Sequence, residues 1–202
     1  MKYLALGDSY TVGEGVAPEA RWSTVLAATL REEGIVLDDP RVIAVTGWTT
    51  DELAAAMDAA EPLGAWDFVS LLIGVNNQYR GQDCASYRDQ FEALLRRAIT
   101  LAGGRTRRVL VLSIPDWGAT RFGAESGRDL AQVSRELDAF NAAARALCES
   151  LGVAFVDITP VSRERGGDAD MLAYDGLHPS AAMHASWADA ALPVARRLLA
   201  SA

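Results

Sequence analysis

The hydrophobic pattern of this chain alternates between two periods along its length. Short apolar runs typical of strands are followed by longer segments whose apolar residues recur every three or four positions, as on one face of a helix. The run 68–73 is almost continuously apolar, which is expected of a strand covered on both faces. Strand–helix alternation of this kind predicts a parallel sheet with helices on both sides.

The same pattern gives the positions of the elements. Strands are predicted at 2–6, 41–45, 68–73, 108–114 and 153–158. Helices are predicted at 22–33, from 50 to near Pro62, and at 87–102, 130–151 and 181–199, the last interrupted at Pro193. The connections 115–129 and 159–174 are predicted to be long polar loops. We therefore expect an α/β fold, a three-layer α/β/α flavodoxin-like sandwich whose five-stranded parallel sheet has the order 2-1-3-4-5.

Composition narrows the class of protein. The chain has 202 residues, half of them hydrophobic, and its length suits one domain spanning 1–202. A net charge of −8 without a basic run argues against nucleic acid as a partner. Cys84 and Cys148 lie in separate helical segments and form neither a disulfide framework nor a metal-spaced cluster. With no membrane-spanning stretch and no signal peptide, we expect a cytoplasmic protein without a membrane anchor.

One candidate nucleophile lies near the start of the chain. Ser9, within Gly-Asp-Ser, directly follows the first predicted strand. In open parallel sheets, ligands collect at the carboxyl ends of the strands, so a serine displayed on this turn is well placed for chemistry. An isolated Gly-Asp-Ser can also be an ordinary turn or helix cap, so the residues at the other end of the chain matter.

Those residues are Asp175 and His178, in the spacing Asp-x-x-His. One turn of chain can bring the carboxylate beside the imidazole, leaving the second ring nitrogen free to accept a serine proton. Ser9, His178 and Asp175 are therefore the candidate nucleophile, general base and orienting carboxylate. The other histidine, His184, falls within the last helix and is predicted to be an ordinary surface or packed residue.

Two more segments follow predicted strands: 45–50, which contains Gly47, and 74–77, which reads Gly-Val-Asn-Asn. Together with the first and last segments, and in the same order, they resemble the four conserved blocks of the SGNH hydrolases, also called GDSL esterases and lipases. The resemblance implies that Ser9 is the nucleophile. It also implies an oxyanion hole made of the backbone N–H groups of Ser9 and Gly47 and the side-chain amide of Asn76. Asn77 stands where the family usually has aspartate, a departure that concerns the support of its loop.

Aromatic residues in the connections are candidates for a substrate pocket. Trp117 and Phe122 lie in the long connection 115–129, and Trp48 follows Gly47 directly. Long loops at the active edge of a sheet often shape substrate binding. Asp116 is predicted to make a turn with its neighbouring proline rather than to take part in chemistry.

The predicted function is a serine esterase that hydrolyses the carboxylic ester bond of a small acyl or acetyl ester through an acyl-enzyme intermediate. We expect no metal and no cofactor, and a small-molecule ester as the partner. Acyltransferase activity on the same triad stays open, as does a non-catalytic flavodoxin-like ligand-binding module. A phosphate-binding loop at 7–15 is disfavoured because the glycine patterns of nucleotide binders are missing. Short acyl esters, acetylated sugars, lysophospholipids and thioesters all fit the sequence.

Overall fold

The computed structural model describes residues 1–200 and contains a five-stranded sheet. Its strands are β1 (Tyr3–Gly7), β2 (Arg41–Ala44), β3 (Phe68–Leu72), β4 (Val109–Leu112) and β5 (Ala154–Val156). They pair in the order β2-β1-β3-β4-β5, and every pair is parallel. The predicted fold class and strand order are confirmed.

Helices connect the strands and surround the sheet. Within residues 1–200 they are α1 (Ser9–Val12), α2 (Trp22–Glu32), α3 (Thr50–Ala59), α4 (Val75–Tyr79), α5 (Cys84–Leu101), α6 (Arg121–Glu125), α7 (Leu130–Leu151), α8 (Thr159–Arg165) and α9 (Ala181–Ala200). Short 3₁₀ turns lie at Pro18–Ala20, Thr106–Arg108, Trp117–Ala119 and Ala169–Met171. No helix in this part of the chain is long and apolar enough to cross a bilayer.

The core lies on both faces of the central strands. Every residue of β1, β3 and β4 is buried, which requires helices above and below them. Helix α2 packs against α9, while α5 packs against α3 and α7. Between α5 and α7 the rings of Tyr87 and Phe140 stack with centroids 4.4 Å apart. Full burial of each large apolar side chain contributes about 2–3 kcal/mol, so these helix pairs fix the ends of the strands that carry the site.

Two helix predictions differ from the structure. Helix α5 begins three residues earlier than the apolar pattern suggests, because Asp83 caps it by accepting the N–H of Ser86 at 2.9 Å. The predicted interruption at Pro193 is wrong, because α9 runs through it without a break. A proline inside a helix removes one backbone hydrogen bond, but buried residues before and after it, including Ala191 and Ala195, hold α9 against the core.

The two long connections are more ordered than the predicted loops. The first contains the turn Trp117–Ala119 and α6, which Thr120 caps by accepting the N–H of Gly123 at 3.1 Å. The second contains α8 and the turn Ala169–Met171. Such elements span too few residues to show a helical period in the sequence. They close the edge of the sheet at which the candidate residues lie.

Candidate active site

The end of β1 and the start of α1 place Ser9. Asp8 caps α1, since its Oδ1 accepts the N–H of Tyr10 at 3.0 Å and its carbonyl accepts the N–H of Val12 at 2.9 Å. Ser9 is thus the first residue of α1 and is only 4% exposed. The first N–H groups of a helix have no partner inside the helix, and that of Ser9 donates to no acceptor within residues 1–200.

The capping carboxyl group of Asp8 is fully buried. Its second oxygen, Oδ2, has no hydrogen-bond partner among the described residues. Burial raises the pKa of Asp8 to about 7, although the hydrogen bond from the N–H of Tyr10 acts to lower it. The residue before Ser9 therefore carries a carboxyl group that is partly protonated at neutral pH.

Asp175 and His178 form a close pair. Asp175 Oδ2 lies 2.6 Å from His178 Nδ1, and Oδ1 accepts the backbone N–H groups of Leu177 at 2.9 Å and His178 at 3.0 Å. Partial burial acts to raise the pKa of Asp175, but the hydrogen bonds from the His178 ring and these two N–H groups hold it below its usual value. The ionised carboxylate fixes the ring so that Nδ1 carries a proton and Nε2 is an acceptor.

Neighbouring side chains fix the imidazole and its loop. The ring of Tyr10 meets the His178 ring edge-on, with centroids 6.2 Å apart. The N–H of Phe122 donates to the Gly176 carbonyl at 2.9 Å. Tyr10 follows Ser9 in α1, so the segment that carries the serine also packs against the histidine.

Gly47 and Asn76 come from the loops after β2 and β3. Gly47 has a φ of +91°, a conformation that favours glycine, and its N–H donates to no acceptor within residues 1–200. Asn76 lies in α4, and its Nδ2 donates one hydrogen bond to the Trp48 carbonyl at 2.9 Å. An amide nitrogen has two hydrogens, so the second is available to a ligand. Gly74, at φ +130°, permits the turn into α4, because a Cβ there would lie 2.5 Å from the Tyr87 ring.

These residues meet at one cavity of about 200 Å³. Ser9, Gly47, Asn76 and His178 supply its polar lining. Asp175 lies behind His178 and does not line it. Within residues 1–200 no hydrogen bond joins Ser9 to His178, and such bonds commonly tighten only when a substrate is bound. The cavity therefore presents a hydroxyl, an imidazole and three uncommitted N–H donors to a single ligand.

One part of the cavity lining is a cluster of aromatic rings. Trp117, Phe122 and Tyr79 all line the cavity. The ring centroids of Tyr79 and Trp117 are 5.3 Å apart, and those of Trp117 and Phe122 are 6.1 Å apart. Trp117 is buried, and its Nε1 donates to Gln78 Oε1 at 2.8 Å. The cluster suits an apolar group attached to the reacting carbonyl.

Two of the residues proposed for the pocket, Trp117 and Phe122, thus contact the cavity, whereas Trp48 does not line it and contributes its carbonyl to Asn76 instead. Asp116 does form a turn, accepting the N–H of Gly118 at 2.9 Å, and is paired with Arg163 Nε at 2.8 Å. The sequence motifs do not identify Tyr79, which lies in α4 three residues after Asn76. The available signal in the sequence was an aromatic residue within one helical turn of a motif asparagine.

Asn77 supports the loop in place of the usual aspartate. It is fully buried, and its Oδ1 accepts the N–H of Thr50 at 3.1 Å. Its Nδ2 donates to Thr50 Oγ1 at 2.7 Å and to Gln82 Oε1 at 2.8 Å. These bonds tie α4 to the start of α3. The Asn77 amide therefore donates to two acceptors, Thr50 Oγ1 and Gln82 Oε1. An ionised carboxylate at this position has no hydrogen to donate, so Thr50 and Gln82 would have to reorient and donate to it instead.

His184 does not line the cavity. It is fully buried, and its Nδ1 accepts the backbone N–H of Trp22 at 3.2 Å, which satisfies an open donor at the start of α2. It is a packed residue, one of the two alternatives that the sequence allowed. Among the described residues, no group of three or more histidine, cysteine or acidic side chains is arranged to hold a metal ion.

A parallel α/β sheet with a serine, an aspartate–histidine pair and open N–H donors around one cavity defines a protein of the serine hydrolase class. The comparison with protein families agrees. The model of the GDSL-like lipase/acylhydrolase family matches residues 5–185, so the chain belongs to that family and is a serine hydrolase that acts on ester bonds. The resemblance seen in the sequence is confirmed.

Solved structures share the fold across nearly the whole chain. TesA superimposes with a TM-score of 0.76 at 21% identity, over 98% of this chain and 100% of that one. The esterase EstA from Pseudoalteromonas sp. gives 0.74 at 17% identity, over 99% of each chain. Axe2, an acetylxylan esterase from Geobacillus stearothermophilus, gives 0.72 at 20% identity, over 96% of this chain and 93% of that one. No curated protein matches the chain in sequence.

Proposed function

We propose that this protein hydrolyses carboxylic esters of small acyl or acetyl groups, with Ser9 as nucleophile, His178 as general base and Asp175 as the residue that orients it. One observation carries the proposal: Ser9, Gly47, Asn76 and His178 line a single cavity, with Asp175 hydrogen bonded to the far side of the histidine. The cavity holds about 200 Å³ and part of its lining is aromatic, which favours a small apolar acyl group over a long chain.

The reaction starts with the ester carbonyl against the oxyanion donors. His178 Nε2 takes the hydroxyl proton as Ser9 Oγ attacks the carbonyl carbon, and Asp175 stabilises the imidazolium that results. The negative charge on the former carbonyl oxygen is met by the N–H groups of Ser9 and Gly47 and by Asn76 Nδ2. The imidazolium then gives its proton to the leaving alcohol, and an acyl-serine ester remains.

Water completes the cycle. His178 removes a proton from a water molecule, which attacks the acyl-serine carbonyl while the same donors hold the oxyanion. Collapse of the second tetrahedral intermediate returns the proton to Ser9 and releases the carboxylic acid. Two of the similar structures are an esterase and an acetylxylan esterase, which supports placing acetylated sugars among the esters to be tested.

The test is a panel of acyl esters of increasing chain length together with acetylated sugars. Ser9→Ala should lower kcat by at least about 10⁴-fold, while the circular dichroism spectrum stays unchanged. Ser23→Ala is the matched control, because Ser23 is a fully buried serine in α2 that does not line the cavity. A serine-reactive phosphonate should add a single label to the peptide that contains Ser9. Labelling at another serine, or an active Ser9→Ala variant, would overturn the assignment.

A further inference from the structure

Arg80 links two loops that the proposed oxyanion hole needs. It directly follows α4, the helix that carries Asn76. Its Nη2 donates to the Gly47 carbonyl at 2.6 Å, and its Nη1 lies 3.2 Å from Glu52 Oε2. One planar guanidinium therefore contacts both the loop after β2 and the first turn of α3. Arginine can do this because its two terminal nitrogens point to different partners, whereas lysine has a single ammonium group.

The other restraints on the Gly47 loop act on the neighbours of Gly47 rather than on Gly47 itself. Gly47 has no side chain to pack, and the nearest atom to a Cβ built there is Arg80 Nη2, at 3.8 Å. Val45 is exposed, whereas the partly buried Trp48 side chain packs against the core. The other hydrogen bonds of the loop act on the neighbours of Gly47: the Thr46 hydroxyl donates to Glu14 Oε2 at 2.5 Å, the Trp48 N–H donates to the Val45 carbonyl at 3.3 Å, and the Trp48 carbonyl accepts Asn76 Nδ2. Within residues 1–200, the bond from Arg80 is thus the one that the Gly47 carbonyl itself accepts.

Glu52 holds the guanidinium in place. Its carboxylate accepts the N–H of Thr49 at 2.8 Å and the Thr49 hydroxyl at 3.0 Å. The first of these bonds, together with the Glu52 N–H donating to the Thr49 side chain, forms the capping box of α3. The pKa of Glu52 is lowered, chiefly by the hydrogen bond from the Thr49 N–H. Partial desolvation opposes this shift, and the Thr49 hydroxyl and Arg80 add to it. The carboxylate is ionised at neutral pH and can keep the arginine pointed at Gly47.

We propose that Arg80 is a positioning residue for ester hydrolysis, holding the Gly47 loop so that the Gly47 N–H faces the oxyanion; this rests on the function proposed above. Its side chain is 48% exposed and that of Glu52 is 41% exposed. An ion pair this exposed contributes little to global stability. Small errors in the placement of a catalytic donor, however, can cost up to about 100-fold in rate. Loss of Arg80 should therefore affect the transition state much more than folding.

The experiment compares Arg80→Gln, Arg80→Lys and Glu52→Gln with the matched control Arg196→Gln. Arg196 in α9 pairs with Glu33 at the end of α2, its side chain is 47% exposed, and neither residue lines the cavity. Each variant is measured for kcat and KM on one ester and for inhibition by a boronic acid, whose serine adduct is a tetrahedral anion. Hydrogen exchange of the 45–49 peptide and unfolding in urea complete the set.

Arg80→Gln should lower kcat by about 10- to 100-fold with KM nearly constant, and weaken boronic acid inhibition by a similar factor. Exchange in the 45–49 peptide should become faster while the urea midpoint changes little. Arg80→Lys should recover part of kcat, and Glu52→Gln should fall between wild type and Arg80→Gln, since glutamine still completes the capping box. Arg196→Gln should leave kcat and the exchange of this peptide unchanged.

Two failures can be told apart. A wild-type protein that cleaves no ester and takes no label at Ser9 would reject the proposed function. If wild type is active but Arg80→Gln keeps its kcat and its boronic acid affinity, only the positioning role is wrong. The same holds if Arg80→Gln raises KM alone, because Arg80 would then act on the bound substrate rather than on the transition state. Unchanged exchange in the 45–49 peptide would contradict the role of Arg80 whatever the activity.

Discussion

His184 should make the protein less stable as the pH falls below neutral. Its imidazole is fully buried and accepts the Trp22 N–H at 3.2 Å, joining α9 to the start of α2. Burial, followed by the charges of Arg21 and His178, lowers the pKa of His184 to about 3. The native state keeps this ring neutral over a range in which an unfolded histidine, with a pKa of about 6.5, binds a proton.

The size of the effect follows from proton linkage. The folded pKa of His184 is depressed, so its contribution to stability is present above about pH 6.5 and is lost progressively as the pH falls towards about 3. Between about pH 7.5 and about pH 5.5, only the unfolded chain takes up this proton, and the free energy of unfolding should fall by about 1.4 kcal/mol. For a chain of 202 residues, that corresponds to a decrease in Tm of about 3–6 °C.

The assay compares wild type with His184→Asn in urea at both pH values, followed by tryptophan fluorescence. Asparagine Oδ1 can accept the Trp22 N–H in place of Nδ1 but does not titrate. At the higher pH the variant should be the less stable protein, because the ring that packs against Trp187 with centroids 5.4 Å apart is lost. The difference in unfolding free energy should narrow by about 1.4 kcal/mol at the lower pH, since all other titrating groups cancel. A difference that is equal at both pH values would refute the reasoning.

Three further predictions concern the site. In steady-state kinetics, Asn76→Ala should lower kcat by about 10²–10³-fold with little change in KM, whereas Asn77→Asp should change kcat by less than about tenfold. Equal, mild losses from the two substitutions would mean that Asn76 is a turn residue. His178→Ala should abolish turnover while His184→Asn keeps kcat within about threefold, and the reverse result would overturn the choice of base. Asp8→Asn should stabilise the protein relative to wild type by about 2–3 kcal/mol more at about pH 8 than at about pH 5, as measured by urea unfolding. The reason is that the pKa of Asp8 in the folded state is raised to about 7, so wild type loses stability as the pH rises through that value. A difference in unfolding free energy that does not change with pH would contradict that pKa.

The sequence predicted the position of elements that are long enough to repeat their hydrophobic pattern several times. Helix α7 begins and ends where the pattern predicts, at Leu130–Leu151, because an aspartate cap and a left-handed glycine mark its ends. Short elements such as α4 and α6 left no periodic signal, and the continuity of α9 through Pro193 depends on packing between α9 and α2 that no local rule contains. Tertiary contacts decided those cases.

For the candidate site, short motifs identified side chains but not what holds them. Ser9 and Asn76 stand at strand ends in recognisable segments, so their approach to one cavity followed from the topology of the sheet. Arg80 stands in no motif considered from the sequence, and its partner Gly47 lies 33 residues away along the chain. The contact becomes visible only when β2 and β3 are placed on either side of β1.

The contacts between loops follow a common arrangement. Each segment that offers a group to the cavity is held by a side chain or backbone group from another segment: Asn76 Nδ2 on the Trp48 carbonyl, Arg80 on the Gly47 carbonyl, and the Tyr10 ring against His178. The strands bring these loops to one edge of the sheet, but side-chain contacts between the loops set the final distances. Because an oxyanion donor must be placed to within about 0.5 Å, substitutions at such supporting contacts should change turnover even where they leave stability intact.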